Sequence, residues 1–255
     1  MAIKHLVLPD TQVKPGVPME HLRWAGEFAV EKRPDVIIHI GDHWDMPSLS
    51  SYDEGKKSFE GRRYTDDIEA GLEGMELFLK PIREAIKRSY ENHRRRWNPV
   101  FHFFRGNHEQ RVMRAVESDR KLEGLIGYDD FRLEQNGWIV HDYLEPAIID
   151  GVAYCHYFTT GVMGRPVTSA RALLLKKHMS CVMGHVQKRD IAYDYTADGR
   201  QITGIFSGTF YQHDEEYLNP QGNKHWRGCW MLHEVNNGSF DEMPVSLTYL
   251  RKRYG

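Results

Sequence analysis

The sequence predicts an α/β protein: a two-layer β core flanked by helices. Three observations carry this. The first 40 residues read strand, helix, strand with short connections. Between them and residue 137 the apolar pattern is mainly helical, around one strand. From Trp138 onward the apolar runs are short and separated by turn signals, with one helical segment among them. Alternating β and α units followed by a β meander is the order expected of sheets covered by helices.

Residues 3–8 (IKHLVL) form a short strand, ended by Pro9 and followed by Asp10-Thr11-Gln12. A Pro/Gly-rich loop over 14–18 leads into a helix from about Met19 to Lys32, stopped before Pro34. The second strand, Val36–Ile40, ends at Gly41-Asp42-His43-Trp44-Asp45. Residues 47–65 are polar and loop-like. In the next segment Ile68, Leu72, Met75, Leu79, Ile82 and Ile86 recur at steps of three and four, which puts them on one helical face. Pro81 is expected to kink that helix or split it in two. Its basic tail, Lys87–Arg96, reads as a solvated helix end, since cations favour helix C-termini.

The stretch Val100–Arg111, VFHFFRGNHEQR, is the centre of the chain. An apolar run stopped by Gly106 reads as a buried strand ending in a turn, and Asn107, His108 and Glu109 follow at once. Polar groups delivered by such a turn land at the rim of a sheet, where α/β proteins place their chemistry. Glu109–Leu122 then reads as helix. Strands follow at Trp138–Val140, Ala147–Tyr157, Cys181–Met183, Ile191–Thr196, Gln201–Phe210 and Trp226–Val235. Asp150-Gly151, Ala197-Asp198-Gly199 and Asn236-Asn237-Gly238 mark hairpins, and Ser169–His178 is helical.

At 255 residues the chain can bury one substantial core, so a single domain over 1–255 is expected. A net charge of −2 provides no global field for nucleic acid or anionic membranes, although a nuclease needs positive charge only locally. No apolar run approaches the roughly 20 residues of a membrane span. The start, MAIKHLVLPD, lacks a signal-peptide pattern. Cys155, Cys181 and Cys229 lie far apart without CxxC spacing, which suggests reduced, buried thiols. A cytoplasmic location is the expectation.

Five strand-end clusters carry ligand-type side chains: Asp10-Thr11-Gln12, the GDHWD turn, the GNHE turn, His156, and Gly184-His185-Val186-Gln187. Singly each has a plain explanation, such as a turn former, a helix cap or a satisfied core histidine. Together, carboxylates, an amide and imidazoles from separate strand ends can build an N/O cage for two divalent ions. A carboxylate between two cations offsets their repulsion, and Asp42 is placed for that role. The glycines before Asp42, Asn107 and His185 suit turns of close approach.

The set D-x-Q, GDxxD, GNHE, a strand-end His and GHxQ resembles the calcineurin-like metallophosphoesterase superfamily. Its usual pattern is D-x-H, GDxxD, GNH(D/E), H, GHxH in the same order, and the match spans residues 10–187. The resemblance implies a four-layer α-β-β-α sandwich of two mixed sheets, and a hydrolase of phosphate esters. Asp10 and Gln12 would serve a first metal, with Asp42 bridging. Asn107, His156 and His185 would serve the second, and Gln187 would reach back to the first. His108 would contact the phosphate and protonate the leaving oxygen, with Asp45 orienting it. The metals would activate a water for in-line attack on phosphorus.

The sequence departs from the family at Gln12 and Gln187, where the fuller pattern has histidines. An oxygen-lined first site favours Mn²⁺, or Mg²⁺, over Zn²⁺ or Fe. A weak or vacant first site is the other reading. Arg105, Arg111 and Arg165 are candidate phosphate clamps, or surface arginines. Trp44, Tyr52, Tyr157, Phe158, Phe210 and Tyr211 can stack bases or fill the core. Segments 47–65 and 112–137 are candidates for a substrate-shaping rim. A phosphodiesterase or nuclease acting on DNA, RNA or a nucleotide is the leading expectation. A phosphomonoesterase or protein phosphatase is weakened by Met46, where protein phosphatases often have arginine. A scaffold of weak activity is the third.

Overall fold

The structure, a computed structural model, describes residues 3–51, 55–91, 97–215, 218 and 221–255. Tyr52 and the part of the basic segment beyond Glu91 lie outside these residues. Among the described residues, eleven strands form two mixed sheets. The first has six strands: β1 (Ile3–Leu8), β2 (Val36–His39), β3 (Val100–Phe104), β4 (Trp138–His141), β10 (Gly228–Asn236) and β11 (Ser239–Ser246), in the order β11-β10-β1-β2-β3-β4. β1 to β4 run parallel, and β10 and β11 add antiparallel at one edge. The second has β5 (Ala147–Ile149), β6 (Val152–Cys155), β7 (Cys181–Met183), β8 (Arg189–Tyr195) and β9 (Gln201–Ser207), in the order β5-β6-β7-β9-β8.

Burial explains the layering. Val7, Ile38 and Phe104 of the first sheet pack with Val152, Tyr154, Val182 and Ile205 of the second, so the two sheets share an apolar interior. The opposite face of the first sheet (Leu6, Leu8, Ile37, Phe103) buries the apolar sides of α1 (Glu20–Lys32), α2 (Tyr64–Glu91) and α5 (Leu247–Tyr254). The outer face of the second (Ala153, Cys155, Cys181, Met183) packs on α4 (Ala170–Lys177). The remaining helix, α3 (Gln110–Ser118), follows the GNHE turn. The result is an α/β sandwich. No helix among the described residues is long and apolar enough to cross a membrane.

Two expectations need correction. Of the kink or split expected at Pro81, the split does not occur: α2 is one element over 28 residues. Proline removes one backbone hydrogen bond, but Phe78, Leu79 and Ile82 around it are all buried in the same core, so both halves share one face. α1 seats directly on this turn, and a Cβ at Gly26 would lie 2.5 Å from the Pro81 ring. The run 147–157 is not one strand but the hairpin β5–β6 turning at Asp150-Gly151. The chain also continues past Val235 into β11 and α5. α5 has eight residues and buries Leu250 alone, which is too short a period to read; Ser246 caps it by accepting the Tyr249 N–H.

One buried residue of α1 makes stability depend on pH. His21 is enclosed with its ring 5.0 Å from Phe210, edge-on. Burial lowers its pKa from 6.5 to about 3, against a weaker opposing hydrogen bond to Gln212. The native state therefore keeps it neutral, while the unfolded chain takes up a proton below about pH 6.5. Its contribution is intact above that value and is lost as pH falls toward the folded pKa. At about 1.36 kcal/mol per pH unit, it costs about 2 kcal/mol between pH 7 and pH 5. Urea unfolding at the two pH values should show that much less acid sensitivity in His21→Phe than in the native chain.

Candidate active site

Because β1, β2 and β3 are parallel, the loops after Leu8, His39 and Phe104 leave from one edge of the first sheet. The parallel strands β6 and β7 present the loops after Cys155 and Met183 from the second. Backbone bonds stitch the loops together. Gln12 N–H donates to the Asp42 carbonyl (2.9 Å), Val13 N–H to His43 (2.7 Å), and Gly184 N–H to His156 (2.9 Å). Across the sheets, Phe210 N–H donates to Asp10 (2.8 Å). Several of these loop residues are strained: Gln12, Asp42, Met46, His185 and Gln187 all adopt positive φ, between 40° and 64°. Side chains rarely tolerate that region, and such outliers gather where function requires them.

Asp42, Asn107, His156 and His185 meet at the junction. The Asn107 Oδ1 lies 3.0 Å from His156 Nε2 and 2.7 Å from His185 Nδ1. Asp42 Oδ2 lies 3.3 Å from His156 Nε2. One ligand-type atom from each of Asp42, His156 and His185 falls within 4.8 Å of the others. Two glycines permit this: a Cβ at Gly106 would stand 2.1 Å from Asp42 Oδ1, and one at Gly184 would stand 2.3 Å from Asp10 Oδ1. Asp10 is turned onto the His185 N–H, which it meets at 3.1 Å.

The donor set fits divalent cations. His156 Nδ1–H donates to the Ile40 carbonyl (2.8 Å), so Nε2 faces the cage, the outer-shell arrangement that orients a ligating imidazole. In the protein alone, burial opposes the charge on His156 but Asp42 outweighs it, lifting the pKa to about 9. Burial lifts the Asp10 carboxyl to about 7. His185 goes the other way, to about 4 through burial and the charge of His156, which keeps it unprotonated at neutral pH. Gln12 is 1% exposed, and neither its amide oxygen nor its nitrogen has a hydrogen-bond partner. A buried amide without partners is costly unless something else binds it. Gln187 lines the same cleft, its Oε1 3.4 Å from the Tyr211 hydroxyl.

His108 sits beside this group. Its Nδ1 is 2.8 Å from Asp45 Oδ1 and 2.8 Å from the Asp45 carbonyl, which fixes the ring. Its Nε2 lies 3.7 Å from Asp42 Oδ2. Burial works against the imidazolium, but Asp42 and the Asp45 hydrogen bond prevail and raise the pKa above the ordinary value. Arg111 donates to the Asp45 carbonyl at 2.7 Å and holds its guanidinium 3.4 Å from His108 Nε2.

Residues behind the loops fix their positions. Glu109 is fully buried, and its carboxylate accepts four backbone N–H groups, from Asp42, His43, Trp44 and Gly106. It clamps the GDHWD turn to the GNHE turn. Deeper still, Gly41 N–H donates to His39 Nδ1, which makes His39 Nε2–H the donor to Thr11 Oγ1. Thr11 then donates to His43 Nδ1, and His43 Nε2–H to the Gly71 carbonyl. Every member is satisfied with both imidazoles neutral, and burial lowers both pKa values, that of His43 to about 4.

A cleft of about 1080 Å³ opens over the group, lined by Gln12, Asp42, Asp45, Asn107, His108, Arg111, His185 and Gln187 among others. The structure does not bring every candidate here. Arg105 turns away, paired with Asp142 and stacked 3.9 Å over the Tyr128 ring. Arg165 is exposed and lines no part of the cleft. Trp44, Tyr157, Phe158, Phe210 and Tyr211 are buried core residues. Segment 47–65 does form a wall, through Pro47, Ser50, Lys56, Glu60, Arg62 and Arg63. Residues 112–137 instead border a separate hollow with Met113, Val116 and Tyr128. Lys14, His213 and Glu215 line the cleft without having been singled out in the sequence. Lys14 sits in a Pro/Gly loop and Glu215 in a polar one, with no local signal of either.

No protein-family profile matches the chain. The chain is similar to the Gene 54 protein of Mycobacterium phage L5, 22% identical over 203 residues, which cover 75% of this chain and 71% of the phage protein. It is also similar to the Gene 54 protein of Mycobacterium phage D29, 27% identical over 135 residues, 51% of this chain and 49% of that one.

Proposed function

We propose that the chain is a metal-dependent hydrolase of phosphate esters with the metallophosphoesterase fold, and that it prefers diesters of nucleic acid or nucleotides. The observation that supports this reading is one juxtaposition: four ligand-type side chains from four loops, chained by the contacts Asp42–His156, His156–Asn107 and Asn107–His185, with a carboxylate-held imidazole beside them. Asp42, Asn107, His156 and His185 would hold one divalent ion. Asp10, Gln12 and Gln187 would hold a second, sharing Asp42, and their oxygen-rich set suits Mn²⁺ or Mg²⁺. When bound, such ions supply Lewis-acid activation of water and neutralise phosphoryl oxygens. His108 donates a proton from Nε2 to the leaving oxygen, and Asp45 keeps Nδ1–H engaged so that Nε2 faces the substrate. Arg111, fixed by two backbone carbonyls, places positive charge beside that proton donor. Arg62, Arg63 and Arg111 put cations on a cleft wall that also carries Glu60, Asp66, Asp67 and Asp214.

The test is hydrolysis of bis-p-nitrophenyl phosphate against p-nitrophenyl phosphate, with Mn²⁺ added or chelated. Mn²⁺-dependent diester preference is expected. Monoester preference would shift the reading to a phosphomonoesterase, and silence with every metal would leave a scaffold of this fold.

A further inference from the structure

Lys14 stands between two buried carboxylates. Its Nζ lies 3.0 Å from Asp45 Oδ2 and 2.6 Å from Glu215 Oε2, on side chains that are 8% and 2% exposed. The placement has a backbone cause. Val13 N–H donates to the His43 carbonyl, and Asp45 N–H donates to that of Val13 (2.9 Å), so the next residue of the first loop falls beside Asp45. Glu215 arrives from the far side of the chain, held by the Asn223 side chain, which accepts its N–H (2.9 Å) and donates to its carbonyl (3.0 Å). Its second oxygen, Oε1, meets His213 Nε2 at 2.7 Å.

Asp45 is thus divided. Oδ1 takes His108 Nδ1, and Oδ2 takes the lysine. A carboxylate rotates about its terminal bond unless both oxygens are engaged, and a buried oxygen without a donor is costly. We infer that Lys14 is a positioning residue for the proton donor: anchored by Glu215, it locks the Asp45 carboxylate so that Oδ1 stays on His108 and Nε2 stays aimed at the leaving oxygen. This rests on the hydrolase reading above and extends it to a residue 201 positions from its anchor. In the step concerned, water adds to phosphorus and the ester P–O bond breaks. The leaving oxygen takes the Nε2 proton, and the proton released from water returns to solvent, from which His108 is recharged.

Losing orientation of a general acid harms substrates in proportion to their need for a proton. The experiment is a series of aryl methyl phosphodiesters of rising leaving-group pKa, assayed with Mn²⁺ for wild type, Lys14→Met, Lys14→Arg and Glu215→Gln. In Lys14→Met, kcat should fall roughly 10- to 100-fold for the poorest leaving group, less than the 10²–10⁴-fold that losing the acid outright would cost. It should fall little for p-nitrophenolate, with KM nearly unchanged, so that the plot of log kcat against leaving-group pKa steepens. Lys14→Arg should restore the shallow slope, and Glu215→Gln, which keeps Lys14 but weakens its anchor, should steepen it less. Slopes equal to wild type in both Lys14→Met and Glu215→Gln, or an equal loss on every ester, would overturn the inference and leave the hydrolase intact. Inactivity of wild type on every ester would overturn both.

Discussion

His108→Asn should lower turnover of an ester with an alkoxide leaving group by about 10²- to 10⁴-fold, the usual worth of a positioned general acid. Loss on bis-p-nitrophenyl phosphate should be much smaller, because p-nitrophenolate departs without a proton. The selectivity follows from where His108 sits. Its ring bonds to Asp45 and reaches only to 3.7 Å from Asp42, and it is not one of the three side chains, Asp42, His156 and His185, whose ligand atoms gather within 4.8 Å. Mn²⁺ binding should therefore be nearly unchanged. The backbone anchor of this loop, His108 N–H to Asp42 Oδ1 at 2.9 Å, survives the substitution. Steady-state rates on the two esters, paired with a Mn²⁺ titration, check the prediction. Undiminished turnover of the alkoxide ester would remove His108 from the mechanism.

Asp42→Asn should have the opposite profile. Asparagine keeps an oxygen for the His108 N–H, so the turn survives, but the negative charge facing His156 and His185 is gone. Mn²⁺ affinity should fall by more than the roughly 10–100-fold that loss of an outer-shell partner costs. Thermal unfolding provides a second readout. At about 100 times its Kd, a ligand stabilises the native state by roughly 2.7 kcal/mol. Wild type should gain that stability from Mn²⁺ and Asp42→Asn should gain almost none. An equal gain in both would mean that Asp42 does not face the ion.

The architecture was readable because apolar pattern and turn residues agree along most of the chain. β1 and β7 fall where their apolar runs lie, and Asp150-Gly151 marks the β5–β6 hairpin within a run that reads as continuous. α2 shows the limit: a local rule about Pro81 yields to a core that buries both sides of the proline. Within the site, Asp42, Asn107 and His185 could be picked out because each follows a glycine at the end of a strand. Their meeting depends on strand order and sheet pairing, which periodicity does not contain. Glu109 was visible as part of the GNHE turn, but its clamp on four N–H groups was not, since the acceptor pattern exists only once two loops abut. Arg105, readable as a phosphate clamp or as a salt-bridging arginine, takes the second role for a related reason. Its neighbours in sequence line the cleft, while its ring partner Tyr128 and its carboxylate partner Asp142 hold it away from that lining. Lys14 and Glu215 carry no signal at all until the fold closes.

Central to all of this is the proposal that loop ends hold a pair of divalent ions, with one aspartate common to both. Anomalous diffraction from a crystal grown with Mn²⁺ tests it most directly. Two peaks are expected, with Asp42 between them, Asn107, His156 and His185 around one, and Asp10, Gln12 and Gln187 around the other. Density without any anomalous peak among these loops, or with Mn²⁺ bound elsewhere, would contradict it.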